Sequence, residues 1–398
     1  MLKANELRIM YAFNFMKSLQ FFGALAVPFY LYRAGLDYKG MFILETIFSI
    51  CIILFEIPTG VIADKFGRKI SLFSGALGFA AGFFIFGITT WYPLLILGEV
   101  ICALGMSLLS GADRAILYDI LINAEQEKDA TLVNSRYDAF GTAGLLISFP
   151  LGSFFAGSDL VPYRSALGLV FVASAIMITL SGLIILFIHE PKRIPSTRNF
   201  LRSGIEGFKF IFKKPALTKF SLNYAVISAL TFFMFWFYQS LLMKNNVPIS
   251  FQGVVAALCN LGAMLLLIAT GFIQKKIGTK NALFLSSIIP AILYLGVYFI
   301  PGLPMALVAI FGVIMLKLFR APMLTSLMNT HIESTNRATV LSGVSMLERV
   351  ITAIFYPLAG ILTDISLDWT FLVMGLVTLA ASLFLRVGEN QFRNTISS

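Results

Sequence analysis

GVIADKFGRK, residues Gly60–Lys69, is a short polar turn held between two long apolar runs. It has the form G-x-x-x-D-x-x-G-R-K, and each part has a mechanical reason. Gly60 lets a neighbouring helix approach closely, as small residues do in lipid. Asp64 stands at a helix end, where it can pair with a cation or cap a facing helix N-terminus. Gly67 supplies a tight turn. Arg68 and Lys69 hold the turn on the cytoplasmic side, because basic residues are retained there during insertion. The pattern returns 211 positions later, where Gly271, Lys275, Gly278 and Lys280 align with Gly60, Asp64, Gly67 and Lys69. Arg114-Ala115 is echoed by Arg320-Ala321, and Ala130-Thr131 by Ala338-Thr339.

The flanking sequence is written for lipid. Of 398 residues, 58% are hydrophobic, 13% are charged and 39 are Phe, and the mean hydropathy is +0.87. A soluble chain keeps about a quarter of its residues charged. A bilayer core of about 30 Å takes about 20 apolar residues per helix. By that measure spans fall near 8–32, 40–63, 70–90, 93–118, 133–157, 164–188, 217–243, 250–274, 280–300, 303–328, 337–363 and 369–386. The expected fold is an all-α integral membrane protein, with twelve transmembrane helices in two pseudo-symmetric six-helix bundles. The bundles are expected at 1–188 and 216–398, joined by a polar, basic cytoplasmic linker at 189–215. The run from Ile9 to Tyr32 is too long for a cleaved signal and is read as the first span.

Charge placement sets the orientation. Lys65, Arg68 and Lys69, then Lys192 to Lys214, then Lys275, Lys276 and Lys280 lie in alternate connections, while Trp91–Pro93 and Pro301–Pro304 carry no basic residue and Arg33, Lys39, Arg164 and Lys244 are scattered exceptions. Both termini and the linker are therefore expected in the cytoplasm of a cell whose inner membrane holds the chain. The formal net charge of +10 is explained by that bias and by anionic headgroups, so no nucleic-acid partner is needed. Cys51, Cys102 and Cys259 are scattered in apolar runs, and His189 and His331 are the only histidines. That set offers neither a disulfide framework nor a metal spacing. No HExxH and no phosphate-binding G-x-x-x-x-G-K-[ST] occurs, so an intramembrane metalloenzyme and a self-contained ATP-driven pump both lack their chemistry, and no cofactor is expected.

The turn resembles the signature loop of the major facilitator superfamily of secondary transporters. Glu56–Gly60 (EIPTG), Ser110–Asp119 (SGADRAILYD) and Arg337–Thr339 (RAT) resemble a bacterial branch often grouped with drug–proton antiporters. The resemblance implies a cytoplasmic gate of Gly60, Asp64, Gly67 and Arg68 with Asp119, and with Arg114 nearby. It also implies that spans one, four, seven and ten line a central cavity. Two departures bear on direction. Glu99 stands where many exporters carry Arg, with Ala103 in place of the following Gly, and the Gly-Pro pattern of span five survives only as Phe149-Pro150-Leu151-Gly152.

Polar residues inside spans are costly and usually face a cavity or one another. In span one Asn14, Lys17 and Gln20 recur every three residues beside Phe21, and in span seven Ser228, Thr231, Phe235 and Tyr238 share a face edged by Trp236 and Gln239. Lys317 and Arg320 share a face of span ten. Apart from Ser228, these are the candidate substrate contacts, with lipid-facing or packing surface as the alternative for the aromatics. A desolvated carboxyl can take and release a proton as its surroundings alternate between wet and dry. Glu99 is the first candidate for that role, followed by Glu56, Glu348 and Asp113; each could instead be half of a fixed ion pair. The expected activity is proton-coupled movement of a small solute by a monomer in the bilayer, with export favoured. Import or facilitated passage of an anionic metabolite or carboxylate siderophore is the alternative, and a membrane sensor a further one.

Overall fold

The computed structural model describes residues 2–190, 200–213, 215–332 and 337–386, and all regular structure among them is helical. In chain order the helices are α1 Leu2–Lys17, α2 Tyr38–Phe66, α3 Arg68–Ile88, α4 Tyr92–Leu109, α5 Ala112–Ile122, α6 Ala130–Ala156, α7 Tyr163–Ile185 and α8 Phe200–Lys213. They continue as α9 Pro215–Phe232, α10 Met234–Lys244, α11 Ile249–Ile268, α12 Thr270–Ile277, α13 Thr279–Phe299, α14 Leu303–Thr330, α15 Arg337–Ile365 and α16 Leu367–Phe384. Between α1 and α2 lie a single turn, Ala26–Pro28, and a wide π-turn, Phe29–Arg33. Eleven stretches of the described chain are helical, long and apolar enough to cross a membrane, which makes this a multi-pass membrane protein. The run expected as the first span is not among them, because its helix stops at Lys17 and resumes at Ala26.

Local sequence explains where helices start and turn. Pro93 and Pro304 occupy the first helical positions of α4 and α14, where a missing N–H costs nothing. Asp364 caps α2: its carboxylate accepts from the backbone N–H of Tyr38 at 2.8 Å and of Lys39 at 2.9 Å. Gly67 and Gly278 each form the one-residue joint between two helices, at φ 111° and 78°, with ψ of 151° and 152°. Only glycine takes that conformation without strain. The repeat seen in the sequence is thus also a repeat of backbone geometry.

The chain divides into two compact units. One comprises residues 1–37, 44–198 and 248–257, and the other residues 38–43, 199–247 and 258–398, over the described parts of each. Each has its own core. In the first, Met10, Phe13, Leu72, Ile116, Tyr137 and Ile178 pack together; in the second, Phe220, Leu283, Phe319, Leu324 and Val344 do so. The internal pattern matches: α3 packs on α4 and α7, and α13 packs on α14 and α16. Around these cores large apolar side chains such as Phe84, Ile88, Phe154 and Leu265 lie exposed, as lipid contact requires.

The expected polar linker at 189–215 is half helix. Residues 191–199 and 214 lie outside the described residues, but Phe200–Lys213 is amphipathic and packs on α15. Ile211 is buried while Phe208, Lys209, Phe212 and Lys213 are exposed. Close approach is possible because Gly207 faces α15: a Cβ there would lie 2.0 Å from the Thr339 carbonyl oxygen.

Candidate functional site

Within the first unit, α1, α5 and α6, of which α5 and α6 belong to candidate membrane spans, bring together a file of charges. Lys17, the last residue of α1, holds its Nζ 3.8 Å from Asp113 Oδ2 and lies over the rings of Phe13 at 5.2 Å and Tyr137 at 5.9 Å. Tyr137 Oη donates to Asp113 Oδ2 at 3.0 Å. Arg114 stacks its guanidinium 4.9 Å from the Tyr137 ring centroid, donates to Asn134 Oδ1 at 2.9 Å and pairs with Asp138. Asn14 donates to the Tyr137 carbonyl at 2.7 Å, tying α1 to α6. Side-chain exposure rises along the file, from 18% at Lys17 and 15% at Asp113 to 45% at Arg114 and 60% at Asp138. Charges so exposed within a membrane span are tolerable only against water, not hydrocarbon.

The stripe read from span one does not continue as expected. Since α1 ends at Lys17, Gln20 and Phe21 sit in the following turn, where the Phe21 N–H donates to Ser174 Oγ at 2.9 Å. Asn14 and Lys17 remain together, and the other two leave the helical face. The break arises after Ser18, where the N–H groups of Leu19, Gln20, Gly23 and Leu25 bond two or three residues back rather than four.

At the turn between α2 and α3, Arg68 pairs with Asp119, donates to the Ala115 carbonyl at 2.6 Å and receives Glu190 on its backbone N–H at 2.8 Å. Lys69 Nζ reaches the Ile188 carbonyl at 2.9 Å. The start of α3, the end of α5 and the segment after α7 therefore share one end of the first unit. Gly60 lies inside α2, and the side chain of Asp64 lies outside the described residues. Arg114 pairs within the charge file above and not at this contact, because five residues place it about 140° around the helix from Asp119.

In the second unit a break at Phe233 divides span seven into α9 and α10. Trp236, Tyr238 and Gln239 are buried, whereas Phe235 is half-buried, stacks on Phe232 at 5.8 Å and meets Trp236 edge-on at 5.3 Å. Thr231 donates to the Ile227 carbonyl of its own helix at 2.7 Å. Lys317 Nζ lies 4.3 Å from the Phe232 ring centroid, and Glu348 accepts from Ser228. Arg320, 3% exposed, donates to Ser286 Oγ at 2.9 Å and also to the Leu283 carbonyl and Asn223 Oδ1. Its terminal nitrogens are committed to α9 and α13, which makes it a strut between helices.

Glu99 is 5% exposed on α4 and accepts from Tyr30 Oη at 3.1 Å. Glu56 is half-buried near the end of α2. Tyr30, Glu45, Asn134, Tyr137 and Asp138 are the residues that sequence reasoning left out of the sites. For Glu45, a carboxyl midway through an apolar run, the signal was present; for the tyrosines there was none, since nothing in one sequence shows which ring meets a charge.

A family model for the Major Facilitator Superfamily matches residues 9–347. Among curated proteins, Multidrug resistance protein 2 of Bacillus subtilis (strain 168) is 23% identical over 322 residues, 79% of this chain and 77% of that one. A further Bacillus subtilis (strain 168) protein, the uncharacterized MFS-type transporter YxaM, is 33% identical over 114 residues, and the match spans 26% of either chain. Among solved structures, a bacterial homolog of the human lysosomal transporter Spinster, inward-facing and unoccupied, superposes with a TM-score of 0.80 at 16% identity, covering 99% of this chain and 98% of that one. The nucleoside transporter NupG superposes with a TM-score of 0.78 at 15% identity over 100% of both chains. At such identity the likeness is one of fold.

Proposed function

The chain belongs to the Major Facilitator Superfamily of transporters, and on that premise we propose that it moves a small solute across the bacterial inner membrane by alternating access, coupled to protons and in the direction of export. The observation that carries this reading is the charge file Lys17–Asp113–Tyr137–Arg114–Asp138, graded from nearly closed to open. A membrane protein keeps such residues where a solute or ion must pass. The similarity to a multidrug resistance protein supports export.

In this reading Asn14, Lys17, Phe235, Trp236, Tyr238, Gln239 and Lys317 contribute to solute binding. The Arg68–Asp119 pair, with Gly60, Asp64 and Gly67, forms the cytoplasmic gate, and both termini are cytoplasmic. Glu99 carries the proton, with Glu56, Glu348 and Asp113 as the other candidates, and the working unit is a monomer.

Lys17 and Lys317 favour a second reading, in which the solute is a carboxylate taken inward or passed by facilitation. One experiment addresses both. The purified protein is screened by thermal shift against organic acids and amphipathic drugs, and each stabilising compound is tested for movement into or out of proteoliposomes under an imposed pH step. Movement of an amphipathic drug against its gradient supports proton-coupled export. Movement of an organic acid that ignores the pH step supports the facilitator, and impermeability to every stabilising compound contradicts both.

A further inference from the structure

Tyr30, Glu45 and Glu99 come from three segments: the π-turn Phe29–Arg33, α2 and α4. Tyr30 Oη lies 3.1 Å from Glu99 Oε1 and 3.4 Å from Glu45 Oε1. A phenol has one hydrogen, so it can donate to one of these oxygens only. If both carboxyls were ionised, the second would face the lone pairs of the phenol oxygen and the charge of its neighbour, across an interior where such repulsion is poorly screened. If one carboxyl holds a proton, it donates to the phenol oxygen, the phenol donates to the other carboxylate, and every contact is satisfied.

An independent observation leads to the same ligand. Among the described residues neither carboxyl forms an ion pair with a Lys or Arg. Arg33, the cation nearest in sequence to Tyr30, turns away and donates to the Arg164 carbonyl at 2.7 Å and the Gly87 carbonyl at 2.8 Å. Among the described residues Cys51 on α2 and Cys102 on α4 also interact with the pair, and neither brings positive charge. No group of three or more metal-ligating side chains occurs among the described residues. Glu99 is buried and Glu45 half-buried, and two such negative charges without a cation are far more costly than one.

We infer that Glu45 and Glu99 form a carboxyl pair that shares a single proton through Tyr30, and that this pair, rather than Glu99 alone, is the proton-binding site of the protein. Binding is the reversible addition of one proton to one carboxylate of the pair, which leaves it with a single negative charge. Two carboxyls in one site titrate as a unit, so neither residue owns the proton. The role in transport rests on the proton-coupled reading above; the shared proton itself does not.

The test is infrared spectroscopy of the full-length protein in lipid nanodiscs at neutral pH, reading the carbonyl stretch of protonated carboxylic acids and its shift in heavy water. The wild type should show a band that is lost in the double variant E45Q/E99Q and displaced in Tyr30→Phe, which leaves the carboxyls but removes their bridge. Glutamine is close in shape to a protonated glutamate, and elution as a single symmetric peak checks that the variants fold. Should the double variant not fold, Tyr30→Phe reads the same band alone. An unchanged band in both variants would overturn the inference, because it would mean that the pair carries no proton. So would loss of the wild-type band when sodium chloride replaces choline chloride, since the ligand would then be a metal cation. A band that behaves as expected, in a protein whose transport ignores the pH gradient, would leave the shared proton standing and remove the coupling.

Discussion

Asp119 and Arg68 are both largely buried, with side-chain exposures of 6% and 18%, and each is the charged partner of the other. Asp119→Asn keeps the shape and removes the charge, leaving a guanidinium with only the Ala115 carbonyl as a side-chain partner among those described. Loss of a charge-assisted bond at such a site costs about 1.5–3 kcal/mol. The variant should melt lower in detergent and show altered transport, and an unchanged melting curve would show that the pair contributes nothing net. Lys17 allows a sharper prediction, because its nearest carboxylate is 3.8 Å away and its other contacts are ring faces. For a carboxylate-bearing solute found by thermal shift, Lys17→Ala should weaken binding about tenfold to a hundredfold, and Lys17→Arg should retain most of it. Equal affinity in wild type and Lys17→Ala, measured by calorimetry, would move the solute elsewhere. Single residues were legible in the sequence where a charge interrupted an apolar run, as Lys17, Glu99 and Arg320 do. Their partners were not, because Tyr137 and Tyr30 look like any other ring until packing aims them.

Helix α8 and the first turns of α15 meet through two glycines: Gly207 faces the Thr339 carbonyl, and a Cβ on Gly343 would lie 2.8 Å from Gly207. Gly207→Val should force the helices apart, at a cost of about 1–3 kcal/mol typical of overpacking. Lys209 and Lys213 would then be cut faster by trypsin; cleavage at the wild-type rate would show that α8 is held by something else. This helix was readable in principle, since Leu201, Ile205, Phe208 and Ile211–Phe212 recur at helical spacing. Its basic residues drew the reading toward a polar linker instead. The breaks at 18–25, at Ser110–Gly111 and at Phe233 were not readable. Hydropathy measures the length of an apolar run, and a short kink within lipid leaves that length unchanged. By contrast the joints at Gly67 and Gly278 were legible, because only glycine is comfortable at their φ and the motif repeats around them.

Two compact units with matching internal packing, a family match over 9–347 and superposition on solved transporters describe one machine of familiar architecture. Its class was visible in composition and in one repeated turn; its cargo was not, because a binding surface is assembled from single residues on many helices. Proton coupling is part of the proposed function, and it rests on the charge file from Lys17 to Asp138 and on buried Glu99 beside half-buried Glu45. The most direct measurement loads proteoliposomes with a thermal-shift hit from the panel of organic acids and amphipathic drugs, then follows its distribution with and without a protonophore. The expected result is accumulation against the solute gradient while the pH step persists, and collapse to equal concentrations once the protonophore dissipates it. Accumulation that survives the protonophore would contradict proton coupling and require a different driving ion.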